Sequence, residues 1–334
     1  MGSTADQYRI IAEGEAWFDR SDRGRLRFEG RDVSSFLQGL FTNDVQPLEA
    51  GRGVYAAYLT PQGRMLADLR LHRNGGAVLA QVAAGRAAAL AERFDQLIFT
   101  EDVRVTDVST AVAQVTVVGS APAAVLARIF FGDDAAGGEA ALMALPPLAH
   151  AAAGDVSIVR NDEVAQAAFD LLFDAAGRSA IVSRLEAAGV REMPLSLLDA
   201  LRIDAGRPAY GVDMGEDTIP LEAGLLERAI STTKGCYVGQ EIIIRVLHRG
   251  GGRVARRLVK LRFSSDLESP PGAGTVLTRD GREVGRVTSA AVSPSGSGVI
   301  ALGFVHRECA EPGVRLALTA EAGGHAAEIV GLAS

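Results

Sequence analysis

Lys234-Gly235-Cys236-Tyr237-Val238-Gly239-Gln240-Glu241 stands where the chain changes texture. Upstream, apolar β-prone runs alternate with runs of helical periodicity. Beyond His248 the sequence breaks into short β-prone runs with no helix of ordinary length between them. Val254 to Phe263, Thr275 to Thr278, Glu283 to Ala290, Val299 to Val305 and Val314 to Thr319 are separated by glycine, proline and charged turns, and Asp280-Gly281 is a hairpin signal. Closing such strands into a small barrel removes the sheet edges they would otherwise expose. The boundary falls at Gly250-Gly251-Gly252, giving regions 1–248 and 249–334.

Region 1–248 reads as two interleaved α+β subdomains. Arg25 to Phe28 is a short strand, and Asp32 is placed to N-cap a helix running to about Leu40, because its carboxylate can accept an orphan N–H. Val54 to Leu59 and Met65 to Leu71 form a hairpin over Thr60 to Arg64, and the Asn74-Gly75 turn leads into Ala77 to Val82. Arg86 to Leu97 carries Leu90, Phe94 and Leu97 on one helical side. Strands at 103–105 and 112–118 follow, then a helix from Ala121 to Phe130 with Pro122 in its first turn. Phe131 to Asp155 reads as an irregular connection. Val156 to Val159 is a strand, Ala165 to Phe173 leads into a helix from Ala175 to Ala188, and a further helix begins near Pro194 and stops at Gly206 and Pro208. Antiparallel connections with interspersed helices indicate an α+β class.

With 34 basic against 41 acidic residues the net charge is -7, which opposes bulk attraction to nucleic acid. Against that background Arg245, Arg249, Arg253, Arg256, Arg257 and Lys260, with His248 among them, place six permanent positive charges in 16 residues. Such a wall suits a phosphate, a polyglutamate tail or RNA, though net acidity makes any RNA contact weak or indirect. The alternative is a solvated basic face. Cys236 and Cys309 have neither metal-knuckle nor CxxC spacing, so no stable metal site and no disulfide framework is expected. No run is long enough to cross a bilayer, and residues 1 to 25 carry Asp6, Glu13, Glu15 and Asp19 without a continuous apolar stretch. A cytoplasmic protein is the default expectation. The Gly-Xaa-Ser-Xaa-Gly elbow and the Gly-Lys-Ser/Thr phosphate loop are absent.

The octapeptide has the composition of a site, with two glycines and four polar or reactive side chains. Lys234 lies two positions before Cys236. If Tyr237 to Arg245 is helical, Cys236 sits at its N-terminus, and both influences lower the thiol pKa. The alternative is a structural cysteine at a crowded turn, with Glu241 paired to Arg245 at i,i+4. Chemistry alone leaves both open.

The same run, Lys234 to Glu241, resembles the signature of the folate-binding YgfZ-like proteins, whose mitochondrial relatives assist iron–sulfur assembly, within the superfamily of the glycine cleavage T-protein. Leu201 to Pro208 with Gly211, Asp213 and Pro220-Leu221-Glu222 is similar to a segment shared with the T-protein, and so are Phe36 to Asp44 and Leu59 to Asp68. The resemblance implies a three-domain aminomethyltransferase-like α+β fold with a C-terminal small β-barrel and a central cavity for tetrahydrofolate or a derivative. It further implies a factor assisting assembly or repair of iron–sulfur proteins, including tRNA-modifying enzymes, partnered by iron–sulfur enzymes or cluster-assembly proteins. Cys236 is then a reactive thiol facing a partner or a transient iron–sulfur cluster, within Lys234, Gly235, Tyr237, Gly239, Gln240 and Glu241. Two alternatives are a folate-dependent aminomethyl or methyl transferase and a tRNA- or protein-binding scaffold.

Candidate folate contacts are Asn43, Asp44, Arg64, Arg202, Glu222, Arg245 and Arg249, each with a plainer alternative. Asn43 and Asp44 also suit a turn cap, Arg64 a hairpin charge, Glu222 a helix cap, and Arg202, with Arg207, a surface. One departure stands out. Aminomethyl transfer in the T-protein relies on an aspartate whose counterpart is expected in the Ala77 to Ala88 region, which offers only Gln81, with no carboxylate from 77 to 91. The Tyr-Thr-Gly-Glu segment is missing from 156 to 172, so glycine cleavage activity is not expected.

Overall fold

The computed structural model describes residues 4–264, 267, 269–319 and 324–334. Helix α1 (Thr4–Glu13) and strand β1 (Glu15–Asp19) come first, and the chain then completes a whole five-stranded sheet before β1 finds its partners. That sheet contains β2 (Gly24–Glu29), β3 (Gly53–Leu59), β4 (Met65–Asn74), β5 (Ala77–Val82) and β6 (Arg104–Asp107), in the order β3-β4-β5-β2-β6. The Thr60 to Arg64 hairpin forms as its turn residues predict. Helices α2 (Val33–Leu40) and α3 (Ala87–Asp95) pack on one face, where Val33, Phe36, Leu37 and Leu40 form the i, i+3, i+4, i+7 stripe that α2 buries. Phe94 meets Phe28, Phe41 and Tyr58 edge-on or tilted, with centroids 5.5, 5.7 and 5.0 Å away. Asp32 holds the N-cap position, but its carboxylate does not cap the helix: Oδ2 accepts the Asp102 N–H at 2.8 Å and ties the helix entry to the approach of β6.

The second sheet takes β1 together with β7 (Val112–Gly119), β8 (His150–Ala153), β9 (Val156–Arg160), β10 (Ala167–Asp174) and β11 (Arg191–Glu192), ordered β11-β1-β7-β10-β9-β8. Helices α4 (Pro122–Phe130), α5 (Ala135–Met143) and α6 (Arg178–Ala187) follow its strands. The expectation of an irregular 131–155 segment is corrected, because the segment contains a 3-10 turn, α5 and β8. The Phe131 ring lies against Gly138, where a Cβ would stand 2.5 Å from the ring. Helix α7 (Leu195–Ala205) ends as its Gly206 predicts, at φ +75°, with the Arg207 N–H reaching back to the Arg202 carbonyl at 2.8 Å. Two short helices, α8 (Leu226–Ala229) and α9 (Gln240–Ile244), follow, and α9 runs into a π-helical turn at Arg245–Arg249.

The expected barrel is present. Strands β12 (Arg256–Phe263), β13 (Val276–Arg279), β14 (Arg282–Val292), β15 (Val299–His306), β16 (Arg315–Leu318) and β17 (Ala326–Leu332) close in the order β12-β15-β14-β13-β16-β17, around Val259, Leu261, Leu277, Val287, Val305 and Ile329. Asp280 and Gly281 both have positive φ, +51° and +75°, as a tight hairpin turn requires. Strand β17, absent from the sequence reading, pairs with β12 and completes the closure. The α+β class with a closed six-stranded C-terminal barrel therefore holds. No helix among the described residues is long and apolar enough to cross a membrane.

Candidate active site

The two open sheets turn polar faces toward each other. Along β4, Ala67, Leu69 and Leu71 enter the core under α2 and α3, so the strand period of two sends Asp68, Arg70 and His72 to the opposite face. Strand register then sets Tyr55, Arg70, Gln81 and Arg25 side by side across β3, β4, β5 and β2. The second sheet contributes buried Gln114, Thr116 and Asp170. A buried charge persists only when paired and hydrogen-bonded, and this layer is paired almost throughout.

Glu163 is the hub. Its carboxylate accepts from Arg20 at 2.9 Å and Arg23 at 2.5 Å, and it stands 2.9 Å from Arg70. Burial works to raise its carboxyl, but the guanidiniums of Arg23, Arg70 and Arg20 outweigh that and hold it well below the usual glutamate range. Asp162 is lowered in the same way against burial, by Arg70 at 3.6 Å and by a direct bond from Arg228. Asp170 moves the other way, pushed up by burial and by the nearby Glu163 charge, while Thr116 and Asn161 donate to it. Arg70 and Arg228 both stack on the Tyr55 ring, at 4.9 and 5.1 Å. The Tyr55 hydroxyl donates to Asp68 Oδ2 at 2.8 Å.

Beside this layer lies a cavity of about 460 Å³. Asp68 and Arg70 line one side, next to Ala83 and Ala84 just past β5; Arg202, Arg207 and Leu195 line the other. Arg202 bonds Asp199 at 2.5 Å and Asp213 at 2.6 Å, yet its Nη2 is buried without a partner, as is Nε of Arg207. The volume falls within the roughly 300–1,000 Å³ of small-molecule sites.

The octapeptide lies elsewhere. Lys234 Nζ donates to the carbonyls of Gln38, Phe41 and Asn43 at 2.7, 2.6 and 2.9 Å, so the ammonium caps the end of α2. Burial pushes it down to about 8, while the Asp44 charge opposes the shift. The three carbonyls also favour the ammonium. Gly239 has φ +83°, and a Cβ there would stand 2.5 Å from the Thr60 carbonyl oxygen, so this glycine seats the loop on the hairpin tip. Tyr237 is buried, with Lys234 Nζ 5.2 Å from its ring centroid. The expected helix over 237–245 is shorter, beginning at Gln240, so Cys236 is not at its N-terminus. The thiol is exposed, as are Gly235 and Glu241, and Gln240 is half-buried. The structural alternative is not realised either, since Cys236 is not buried and no ion pair joins Glu241 to Arg245 among the described residues.

Of the candidate folate contacts, Arg202 alone lines the cavity. Asn43 Nδ2 donates to the carbonyls of Tyr55 and Arg228 at 2.8 and 3.1 Å, and Asp44 accepts from Gln38 at 2.9 Å. Arg64 donates to the Asp217 carbonyl. Glu222 accepts from Arg256 at 3.2 Å and tethers the barrel through its carbonyl, which takes the Leu258 N–H at 2.8 Å. Arg64 and Glu222 instead line a separate groove beside the barrel. Arg245 and Arg249 are exposed on the π-helical turn. Sequence reasoning missed Asp68, Arg70 and Glu163. The alternation of Asp68, Arg70 and His72 within an apolar strand is the signal that marks the first two.

An antiparallel sheet and a mixed sheet enclosing a polar cavity, joined to a closed barrel, define an aminomethyltransferase-like architecture. Residues 2–234 match the family model for the GCVT N-terminal domain, and residues 256–333 match that for the glycine cleavage T-protein C-terminal barrel domain. The chain belongs to the glycine cleavage T-protein family. An aminomethyltransferase of Geobacillus kaustophilus is 30% identical over 325 residues, covering 94% of this chain and 85% of that protein. A putative chloroplastic transferase of Arabidopsis thaliana, At1g60990, is 27% identical over 320 residues, covering 94% and 71%. The crystal structure of the glycine cleavage system aminomethyltransferase T from Bartonella henselae superposes with a TM-score of 0.87 at 22% identity, covering 99% of this chain and 89% of that one.

Proposed function

We propose that the central cavity binds a reduced folate and that the chain serves folate-dependent one-carbon transfer, with Asp68 as the carboxylate at the reacting end. One observation carries the reading. Asp68 is the cavity-lining carboxylate that is buried without being locked in a tight ion pair, its nearest guanidinium being Arg70 at 3.9 Å. Glu163 is held by three arginines, Asp199 by Arg202, and Asp22 is exposed. The unpartnered N–H groups of Arg202 and Arg207 match the carboxylates of a glutamate tail. A reduced folate supplies the nitrogen that takes up the one-carbon unit; Asp68 orients it and holds or releases a proton at Oδ1 or Oδ2. The lack of a carboxylate in 77–91 loses its force, because Asp68 on the neighbouring strand reaches the same wall as Ala83 and Ala84. The named aminomethyltransferase relatives support the transfer reading.

Calorimetric titration with tetrahydrofolate tests it. Binding that is lost on Asp68→Ala and Arg202→Ala is expected; no heat and no thermal stabilisation at high ligand concentration overturns it.

A second reading, assistance to iron–sulfur enzymes of the kind the YgfZ-like signature implies, including tRNA-modifying ones, rests on the placement of Cys236. Its loop is pinned at Lys234 and Gly239, so the thiol is held out to solvent. No group of three or more metal-ligating side chains occurs among the described residues, so a cluster would be transient and shared with a partner. Cys236→Ala leaving cluster-dependent enzymes fully active in a deletion strain sinks this reading.

A further inference from the structure

The cationic run after the octapeptide acquires a shape that its sequence does not show. Arg253, Arg257 and Arg307 surround a recess of about 420 Å³ on the barrel wall. Strand register sets Arg257 opposite Val305, and the Arg307 N–H donates to the Ala255 carbonyl at 3.1 Å, which brings the three side chains to one place. The glycine turn that leads from the π-helical turn to Arg253 closes on itself, with Gly252 N–H bonded to the Val246 carbonyl at 2.9 Å and Arg253 N–H to the Gly250 carbonyl at 3.0 Å. Neither the three recess arginines nor Arg245 and Arg249 have an ion-pair partner among the described residues. Arg256, in the same strand as Arg257, is by contrast neutralised by Asp217 and Glu222. Ile244, one residue before the π-helical turn, is 43% exposed.

We propose that this face docks an acidic surface of a partner protein, whose Asp or Glu side chains enter the recess while an apolar residue covers Ile244. Guanidinium forks take single carboxylates bidentately. Ile244 ends the helix that runs into the π-helical turn, and its exposed apolar side chain offers a partner a contact beyond the charged recess. A nucleic-acid backbone is the poorer fit, since the three arginines converge on one recess instead of running as a stripe that would follow successive phosphates. The proposal does not depend on folate binding.

The test uses the full chain and a fluorescent synthetic helix with glutamates on both sides of a leucine stripe, followed by anisotropy. Binding is expected to weaken as salt rises to about physiological strength. It is expected to fall roughly tenfold or more in R253A/R257A/R307A, and to change less than about twofold in R262A/R315A on another face of the barrel. The exposed single changes R253E and R307E repeat the test if the triple variant is unstable. The proposal is overturned if the helix does not bind, if the recess variants bind it as well as wild type, or if transfer RNA binds more tightly than the helix.

Discussion

The arginines between the two sheets and the arginines on the barrel wall are one side chain under opposite conditions. Arg20, Arg23 and Arg70 are almost withdrawn from water and converge on a single carboxylate, Glu163. Arg253, Arg257 and Arg307 also converge, but on an open recess with no ion pair of their own among the described residues. In the first region charge holds the molecule's own parts in place, and removing the anion strands cations in a low dielectric. In the second, charge is directed outward, and its removal costs the fold little.

The largest expected effect lies at the cavity. Asp68→Asn lowers one-carbon transfer about 10²–10⁴-fold, followed as methylene-tetrahydrofolate formation, because an amide cannot exchange the proton; the barrel variants leave this rate unchanged. Next, Glu163→Ala destabilises the chain by about 3–5 kcal/mol in urea unfolding, whereas each barrel arginine changed to alanine stays within about 0.5 kcal/mol. Equal costs at the two places would break the contrast between them.

Acid sharpens it further. His72 is pushed down to about 3 by burial and by the neighbouring His150, while in the unfolded chain it protonates near its ordinary 6.5. Between those values the unfolded chain binds more protons, so stability falls as pH falls through that window. Glu163, whose folded pKa is depressed, adds stability that is present above its unfolded value near 4.5 and is lost as pH falls toward the folded one. The melting temperature should therefore decline from about pH 6.5 downward, and His72→Asn should flatten the upper part of that decline. Smallest are the changes in the octapeptide. Lys234→Met costs about 1–3 kcal/mol by leaving three carbonyls without their donor, and Cys236→Ser stays within about 0.5 kcal/mol in the same unfolding assay.

The sequence announces structure where one residue decides a local geometry. Gly206 stops α7, Asp280-Gly281 turns a barrel hairpin, and the 60–64 loop folds β3 onto β4. It is silent where geometry comes from packing. Helix α5 contains Gly137 and Gly138, which propensity places outside helices, and Gly138 sits there beneath the Phe131 ring. Strand β17 carries only weak alternation and is defined by the gap it fills between β12 and β16. The cavity charges were the least legible. Arg20 and Arg23 meet Glu163 across more than a hundred positions, a convergence that no local pattern encodes. Asp68 is marked by the polar alternation of its own strand, one strand before the 77–88 region.

The nesting of one sheet inside the chain order of the other has a consequence for how the protein is made. The sheet from β2 to β6 is contiguous, from Gly24 to Asp107, and can close as the ribosome delivers it. Strand β1 must wait for Val112–Gly119 to emerge, with Trp17 and Phe18 uncovered meanwhile, and β11 arrives later still. Distant pairings of this kind close slowly, and an uncovered apolar strand is the species that aggregates. Nascent chains halted between the completion of β6 and that of β7 are therefore the point at which a chaperone has most to protect.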